Sequence, residues 1–134
     1  MPEDEIAIES RLSLIPAVIK QLCSDPDVRS RIHGREPAFH MALTEALANA
    51  IIHGNRSDAA RKVYVRYVCE PDDALLIVIR DEGAALNSEI ERKPREMGDD
   101  RNRGLRLILS SVDEIDFLNH GAEVHLRMKG RRKP

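Results

Sequence analysis

The sequence predicts an α/β fold built as a two-layer sandwich, in which a mixed, mostly antiparallel sheet carries helices on one face. Two observations lead to this prediction. Apolar residues alternate with period two in runs that follow one another in pairs across short turns, and apolar residues at spacings of three and four lie in separate segments. The predicted order is strand, helix, helix, strand, strand, long loop, helix, strand, strand.

The first half of the chain contains one predicted strand and two predicted helices. Residues 5–10 alternate isoleucines with polar residues, which is typical of a short half-buried strand. Helical spacing covers 14–23 and, more strongly, about 37–53, where an Ala- and Leu-rich run begins with a proline. Gly54 and Asn55 tolerate a left-handed backbone, so we expect them to cap that helix. The segment between the two helices is ambiguous.

The second half contains two predicted hairpins. Residues 62–69 and 74–81 are apolar, strand-like runs separated by a Pro-Asp-Asp turn. Residues 114–118 and 123–128 form a second such pair across an Asn-His-Gly-Ala turn. Each pair therefore predicts two neighbouring antiparallel strands.

A long polar loop separates the two hairpins. Residues 83–103 have few apolar side chains, and a connection of this length usually forms a functional cover or is disordered. Helical spacing resumes over 104–112. We expect one domain over residues 1–134, with a lid at about 84–103.

Composition excludes several functions. The chain has 134 residues, 33% of them charged, and a formal net charge of -2, which argues against a protein that coats nucleic acid. It has no apolar run long enough to cross a bilayer, and its acidic N-terminus is unlike a secretory signal, so a cytoplasmic location is expected. Cys23 and Cys69 lie outside any metal-ligand spacing. A basic run near the C-terminus, from Arg127 to Lys133, is expected to be a solvated tail.

Polar side chains follow one stripe of the long helix. Glu45, Asn49 and His53 are spaced by four residues, so at about 100° per residue they drift by only about 40° per step. A solvated face is the ordinary explanation for such residues. Asn is nevertheless a poor residue inside an Ala- and Leu-rich helix, because its side chain competes for backbone hydrogen bonds. Glu45 and Asn49 are therefore candidate functional residues.

Two other segments combine polar groups with glycine. An apolar strand runs into Asp81 and Gly83; a carboxylate there can accept a hydrogen bond from an exocyclic amine, and the glycine lets a ligand approach the backbone. At Arg103, Gly104 and Leu105 a loop opens a helix, where backbone N–H groups beside a basic side chain form a phosphate seat. Each segment alone is also ordinary turn chemistry.

Together, in this order, the segments resemble the GHKL ATPase superfamily, and in particular its bacterial anti-sigma factor serine kinases. EALANAIIHGN at 45–55 resembles the N box of those kinases, RDEG at 80–83 their next box and RGLRLI at 103–108 the third. The resemblance extends over nearly the whole chain. It implies the Bergerat, or histidine-kinase-like ATPase, fold.

The resemblance also implies roles for single residues. Asn49 would hold Mg²⁺ on the phosphates of ATP, and Glu45 would be the base for the attacking hydroxyl. Asp81 would bind the adenine amino group, next to Gly83. The loop ending at Arg103, Gly104 and Leu105 would cover the phosphates. His53 would either frame the phosphate site from the helix end or act as a capping or packing histidine.

The implied activity is that of an anti-sigma regulator with ATP-dependent serine kinase activity. Its partners would be an anti-anti-sigma protein of the STAS type, which supplies the acceptor serine, a sigma factor that it sequesters, and a second copy in a homodimer.

Departures from the family pattern at Ala85, Asn102 and Ala122-Glu123 keep a second hypothesis open. This alternative is a non-catalytic module on the same fold that sequesters a partner, with weak or no ATP binding. A third hypothesis, the isolated ATP-binding domain of a histidine kinase, is disfavoured because no helical phosphoacceptor hairpin precedes the first strand.

Overall fold

A computed structural model describes residues 5–83 and 106–130. It contains one five-stranded sheet in the order β1-β2-β3-β5-β4, and every neighbouring pair is antiparallel. The predicted α/β class and both hairpins are confirmed, and the described sheet is antiparallel rather than mixed. The strands are β1 Ile6–Glu9, β2 Lys62–Cys69, β3 Leu75–Arg80, β4 Glu114–Leu118 and β5 Glu123–Met128.

Four α-helices accompany this sheet in the described part of the chain: α1 Ile15–Cys23, α2 Pro26–Arg31, α3 Glu36–Asn49 and α4, 106–111. Helix α2 lies in the segment that the sequence left ambiguous. The Asp25 side chain accepts a hydrogen bond from the Asp27 N–H at 2.8 Å, and Pro26 occupies the first turn. The residues taken for turn chemistry are therefore an N-cap and an N1 proline.

The helices and one face of the sheet share a single core. Along β5, Val124, Leu126 and Met128 are buried, whereas the alternate residues are half-buried on the other face. The buried residues of α1, α2 and α3 join this inward face in one apolar cluster. Full burial of a Leu or Ile side chain stabilises the fold by about 1.5–3 kcal/mol, so the contact between the two layers contributes to stability through many side chains.

The end of the long helix differs from the prediction. After Asn49 the chain continues into a π-helical turn, Ala50–Gly54, closed by the Asn55 N–H donating to the Ala50 carbonyl at 2.8 Å. Asn55 has φ -95, and the left-handed residues are Arg56 and Ser57. The helix does end at these positions, but the expected left-handed cap at Gly54 and Asn55 was wrong, because Gly54 belongs to the π-helical turn and Asn55 caps it with a negative φ.

Two other expectations have different outcomes. The predicted lid at about 84–103, and Arg103, Gly104 and Leu105 after it, lie outside the described residues. The basic run is not a simple solvated tail, because Arg127 belongs to β5 and pairs with Glu70 and Glu114. Among the described helices, none has the length and apolar character needed to cross a membrane.

Candidate functional site

A narrow pocket lies where α3 meets the end of β3 and the start of β5. Its only polar side chains among the described residues are those of Asn49 and Asp81. Apolar side chains and the backbone of a turn form its walls, so the chemistry of its lining matches an apolar ring face that carries a hydrogen-bond donor. The lining residues are Ala46, Asn49, Ala50, Ile79, Asp81, Ile108, Phe117, Gly121, Ala122 and Val124.

The Asp81 side chain is held at the end of β3 and is only 6% exposed. Its backbone N–H donates to the Ala122 carbonyl at 2.8 Å, and its Oδ1 accepts a hydrogen bond from the Gly83 N–H at 2.8 Å. The buried Gly83 thus contributes to the site through its backbone N–H, which fixes the orientation of the Asp81 carboxylate. The structure confirms that Asp81 and Gly83 lie together at this strand end.

Gly54 explains how the carboxylate fits against the helix. A Cβ atom at position 54 would lie 2.0 Å from Asp81 Oδ2 and 2.4 Å from its Cγ. No side chain can occupy that space while Asp81 keeps its position. Gly54 was expected to cap the helix, but its role is to let Asp81 approach the π-helical turn.

Asn55, which is buried, and Glu82, which is half-buried, form a hydrogen-bonded support behind Asp81. Asn55 is fully buried; its Oδ1 accepts from the Glu82 N–H at 2.8 Å, and its Nδ2 donates to Ser10 Oγ at 2.9 Å and to the Lys62 carbonyl at 3.0 Å. The Glu82 carboxylate accepts from the Lys62 N–H at 2.7 Å and from the Tyr64 hydroxyl at 3.1 Å, and this hydrogen bond raises the pKa of Tyr64. The sequence analysis gave neither residue a role in the site.

Glu45 and Asn49 lie one turn apart on α3, and both are half-buried. Within residues 5–83 and 106–130, no hydrogen bond or ion pair engages the side chain of either residue. Asn49 makes no capping bond to the π-helical turn that follows it. The Asn49 carboxamide lines the pocket and the Glu45 carboxylate lies one helical turn before it, both without a described protein partner, so both are available to a ligand.

His53, the last residue of the predicted polar stripe, lies in the π-helical turn Ala50–Gly54. The π-helical turn between Asn49 and His53 widens the helix, and π-turns are frequent at functional sites. His53 is half-buried and is not among the described residues that line the pocket.

Ala122 and Glu123, which depart from the family's sequence pattern, lie in different places relative to the pocket. Gly121, with φ 89, and Ala122 line the pocket, whereas the Glu123 carboxylate pairs with His125 at 2.7 Å and accepts a hydrogen bond from Asn119. Glu123 therefore places no negative charge in the pocket. Alternation along β5 is the reason, because Val124 faces inward.

Comparison with known protein families gives a direct result. A family model described as the histidine kinase-like ATPase domain matches residues 14–129. The chain belongs to this family. A search of the curated proteins finds no significant match.

The described site is consistent with a histidine kinase-like ATPase. The family implies binding of ATP, and adenine is a flat ring with an exocyclic amino group. The apolar walls and the buried Asp81 carboxylate match that chemistry, and Gly54 provides the space that the carboxylate needs. The Asn49 side-chain oxygen is a hard donor of the kind that Mg²⁺ accepts. The residues present therefore fit the nucleotide and its metal.

Proposed function

We propose that this histidine kinase-like ATPase is an ATP-dependent protein serine kinase that acts as an anti-sigma factor. One observation carries the proposal: a buried carboxylate in an apolar pocket lies close to a helix that offers a second carboxylate and a carboxamide without described protein partners. Such a site can bind a purine at one end and serve phosphoryl transfer at the other.

Each residue has a distinct task in this proposal. Asp81 accepts a hydrogen bond from the adenine amino group, while Ile79, Phe117 and Val124 contact the ring. The Asn49 carboxamide would hold Mg²⁺, which supplies positive charge on the phosphate oxygens when it is bound. Arg103, Gly104 and Leu105, with the loop before them, would cover the phosphates, and His53 would frame them from the helix end.

Glu45 is the proposed base. The acceptor serine oxygen bonds to the γ-phosphorus, the bond from that phosphorus to the β–γ bridging oxygen breaks, and ADP leaves. The hydroxyl proton passes to the Glu45 carboxylate. Phosphoryl transfer depends mainly on positioning and charge, so one carboxylate near the hydroxyl is a sufficient protein contribution to this proton transfer.

The proposed partners follow from the same resemblance. They are a STAS-type anti-anti-sigma protein that carries the serine, a sigma factor that is held inactive, and a second copy of the chain in a homodimer. The proposed setting is the cytoplasm, where the protein regulates transcription. Non-catalytic sequestration of a partner is the alternative outcome of the test below. One reason for that alternative was a Glu123 carboxylate in the nucleotide site, and Glu123 instead pairs with His125.

The test is thermal unfolding with and without Mg-ATP, followed by transfer of a radiolabelled γ-phosphate to candidate acceptors. ATP at about 100 times its Kd stabilises a folded domain by roughly 2.7 kcal/mol, which raises Tm by several degrees. We expect this rise in the wild type and in Thr44→Ala, an exposed position on α3 outside the pocket, but not in Asn49→Ala. A Tm rise without serine phosphorylation would support the sequestration module, and no rise at millimolar ATP would contradict the proposed function.

A further inference from the structure

The end of β3 passes beyond its hydrogen-bonded partners just where the pocket needs a fixed carboxylate. The pairing of β3 with β2 ends at Tyr64 and Arg80, and its pairing with β5 ends at Arg80 and Glu123. Asp81 and Glu82 follow this last pair, so the regular ladder does not determine their positions. Something other than strand pairing must hold them.

One backbone hydrogen bond and the side chains of Asn55 and Glu82 hold this segment in place of the regular ladder. The Asp81 N–H donates to the Ala122 carbonyl on one side, and the Glu82 N–H donates to Asn55 Oδ1 on the other. The peptide group between Asp81 and Glu82 is thus tied to the Asn55 side chain. The Glu82 side chain adds two further bonds, to the Lys62 N–H and the Tyr64 hydroxyl.

The orientation of the Asn55 carboxamide is set by its partners. The Glu82 N–H requires an acceptor and the Lys62 carbonyl requires a donor, so exchange of the oxygen and nitrogen would break both bonds. Ser10 Oγ accepts the second Nδ2 hydrogen and itself donates to the Arg61 carbonyl at 2.7 Å. The carboxamide is fully buried and therefore rigid.

Asn55 also adjoins the other wall that confines Asp81. Asn55 directly follows Gly54, whose Cα packs against the Asp81 carboxylate. The Asn55 N–H donates to the Ala50 carbonyl and so closes the π-helical turn. One residue therefore fixes both the backbone that carries Asp81 and the turn against which its carboxylate packs. A shift of Asn55 would move both together.

From this geometry we propose that Asn55 is a positioning residue that sets the selectivity of the pocket for an amino-bearing purine. The inference rests on the proposed function, in which Asp81 receives the amino group. A hydrogen bond to a charged acceptor discriminates only when the acceptor is held at the right distance and angle. Asn55 supplies that constraint without contacting the nucleotide.

The experiment compares Kd for ATP with Kd for purine riboside triphosphate, which lacks the 6-amino group, both with Mg²⁺ and measured by calorimetry. We expect the wild type to prefer ATP. We expect the preference of Asn55→Ala to be lower by at least about tenfold, which corresponds to the loss of one hydrogen bond to a charged group. Kd for the purine analogue should change by less than about twofold in this variant, because the apolar walls remain.

Two controls separate positioning from stability. Val28→Ala creates a core defect in α2, outside the pocket, and should keep the wild-type preference at a comparable loss of Tm. Asn55→Asp keeps an oxygen acceptor for the Glu82 N–H and should keep the preference within about twofold despite reduced stability. Should Asn55→Ala fail to fold, Asn55→Ser replaces it with the same expectation, because its hydroxyl is one bond too short to reach that N–H.

Each result has a defined meaning. An unchanged preference in Asn55→Ala, or an equal loss in Val28→Ala at matched Tm, would overturn the positioning role while leaving the nucleotide site intact. A wild type that binds neither nucleotide would instead overturn the proposed function, and the inference with it. Because the wild type is measured alone first, the two failures are distinguishable.

Discussion

The two ends of the sheet differ in the partners of their polar side chains, although both contain paired groups, such as Glu123 with His125 at the pocket end. At the end near Asp113, where β4 begins and β5 finishes, charged side chains pair with one another. Arg127 binds both carboxylate oxygens of Glu70, at 2.8 and 3.2 Å, and also Glu114 at 2.9 Å. At the pocket end, Glu45 and Asn49 have no described protein partner.

The end near Asp113, called the clamped end below, is held together by charged side chains that bind one another and the backbone. Arg31 donates to the Glu70 carbonyl at 2.5 Å and to the Ala74 carbonyl at 2.6 Å, so it binds the ends of the β2–β3 turn together. Asp113 accepts from Arg35 at 3.0 Å and from the Lys129 N–H at 2.7 Å. Among the described residues, these charged groups pair with one another or with backbone groups.

The comparison teaches where to look for function in this fold. Charged pairs alone would draw attention to the clamped end, where Arg127, Glu70 and Glu114 bind one another. Hydrogen-bond satisfaction selects the pocket end instead, because polar groups that a protein leaves without internal partners are available for ligands. Substitutions at the two ends should therefore change different quantities.

The largest expected effect is that of Glu45→Gln on phosphoryl transfer. Loss of a general base lowers the transfer rate by about 10²–10⁴-fold, whereas ATP binding and Tm should change little, because no described contact of the fold depends on Glu45. Single-turnover transfer to the acceptor protein and calorimetry with ATP give the two readouts. An equal loss of rate and ATP affinity would contradict the role as base.

A pair of glycine substitutions tests the comparison directly. A Cβ at Gly54 would lie 2.0 Å from Asp81 Oδ2, and a Cβ at Gly130, at the clamped end, would lie 1.9 Å from the Asp72 carbonyl oxygen. Both clashes should lower Tm, because overpacking costs about 1–3 kcal/mol. Only Gly54→Ala should weaken ATP binding, by about tenfold or more, since it displaces the carboxylate.

The readouts for this pair are thermal unfolding and ATP Kd on the same protein samples. Gly130→Ala serves as the matched control, being the same substitution with a similar clash. If both variants lost ATP affinity to the same extent, the two ends would be coupled and the comparison would fail.

The smallest expected effect is at the Tyr67–Asp25 contact. The Tyr67 hydroxyl donates to Asp25 Oδ2 at 2.5 Å, and chiefly this hydrogen bond holds the pKa of Asp25 below its usual value. A lowered pKa in the folded state stabilises the protein above the unfolded-state pKa of about 3.9, and this contribution is lost as pH falls through the folded-state value.

Tyr67→Phe should therefore destabilise the protein at pH 7 by about 1 kcal/mol or less, and the difference from the wild type should shrink as the pH falls below about 4. Denaturant unfolding at several pH values measures it, with ATP affinity at pH 7 as the control that should not move. A difference that grows in acid would have the wrong sign.

Much of the fold was predictable because local patterns and tertiary packing agree. The strand at 62–69 alternates apolar and polar residues, and the structure buries Val63 and Val65 as the period requires. The long Ala-rich helix and both hairpins follow the same logic. Helix α2 was missed because it is short and its Asp-Pro start also fits a turn.

The site was only partly predictable. Asn49 and Asp81 were selected from residue type and spacing. The structure brings them into one pocket although 31 residues, 50–80, lie between them in the sequence. Phe117 and Ile108 could not be selected, because an apolar residue on a strand or helix carries no local sign of which cavity it lines. Their places depend on the order β3-β5-β4.

The sequence by itself determined the element types, the pairing of each hairpin and the candidate polar residues, since these depend on periodicity and on neighbours along the chain. Tertiary structure alone decided that Gly54 makes room for Asp81 and that Asn55 holds Glu82. Those roles arise from contacts between residues 27 positions apart, such as the Glu82 N–H and Asn55 Oδ1, which no local pattern encodes.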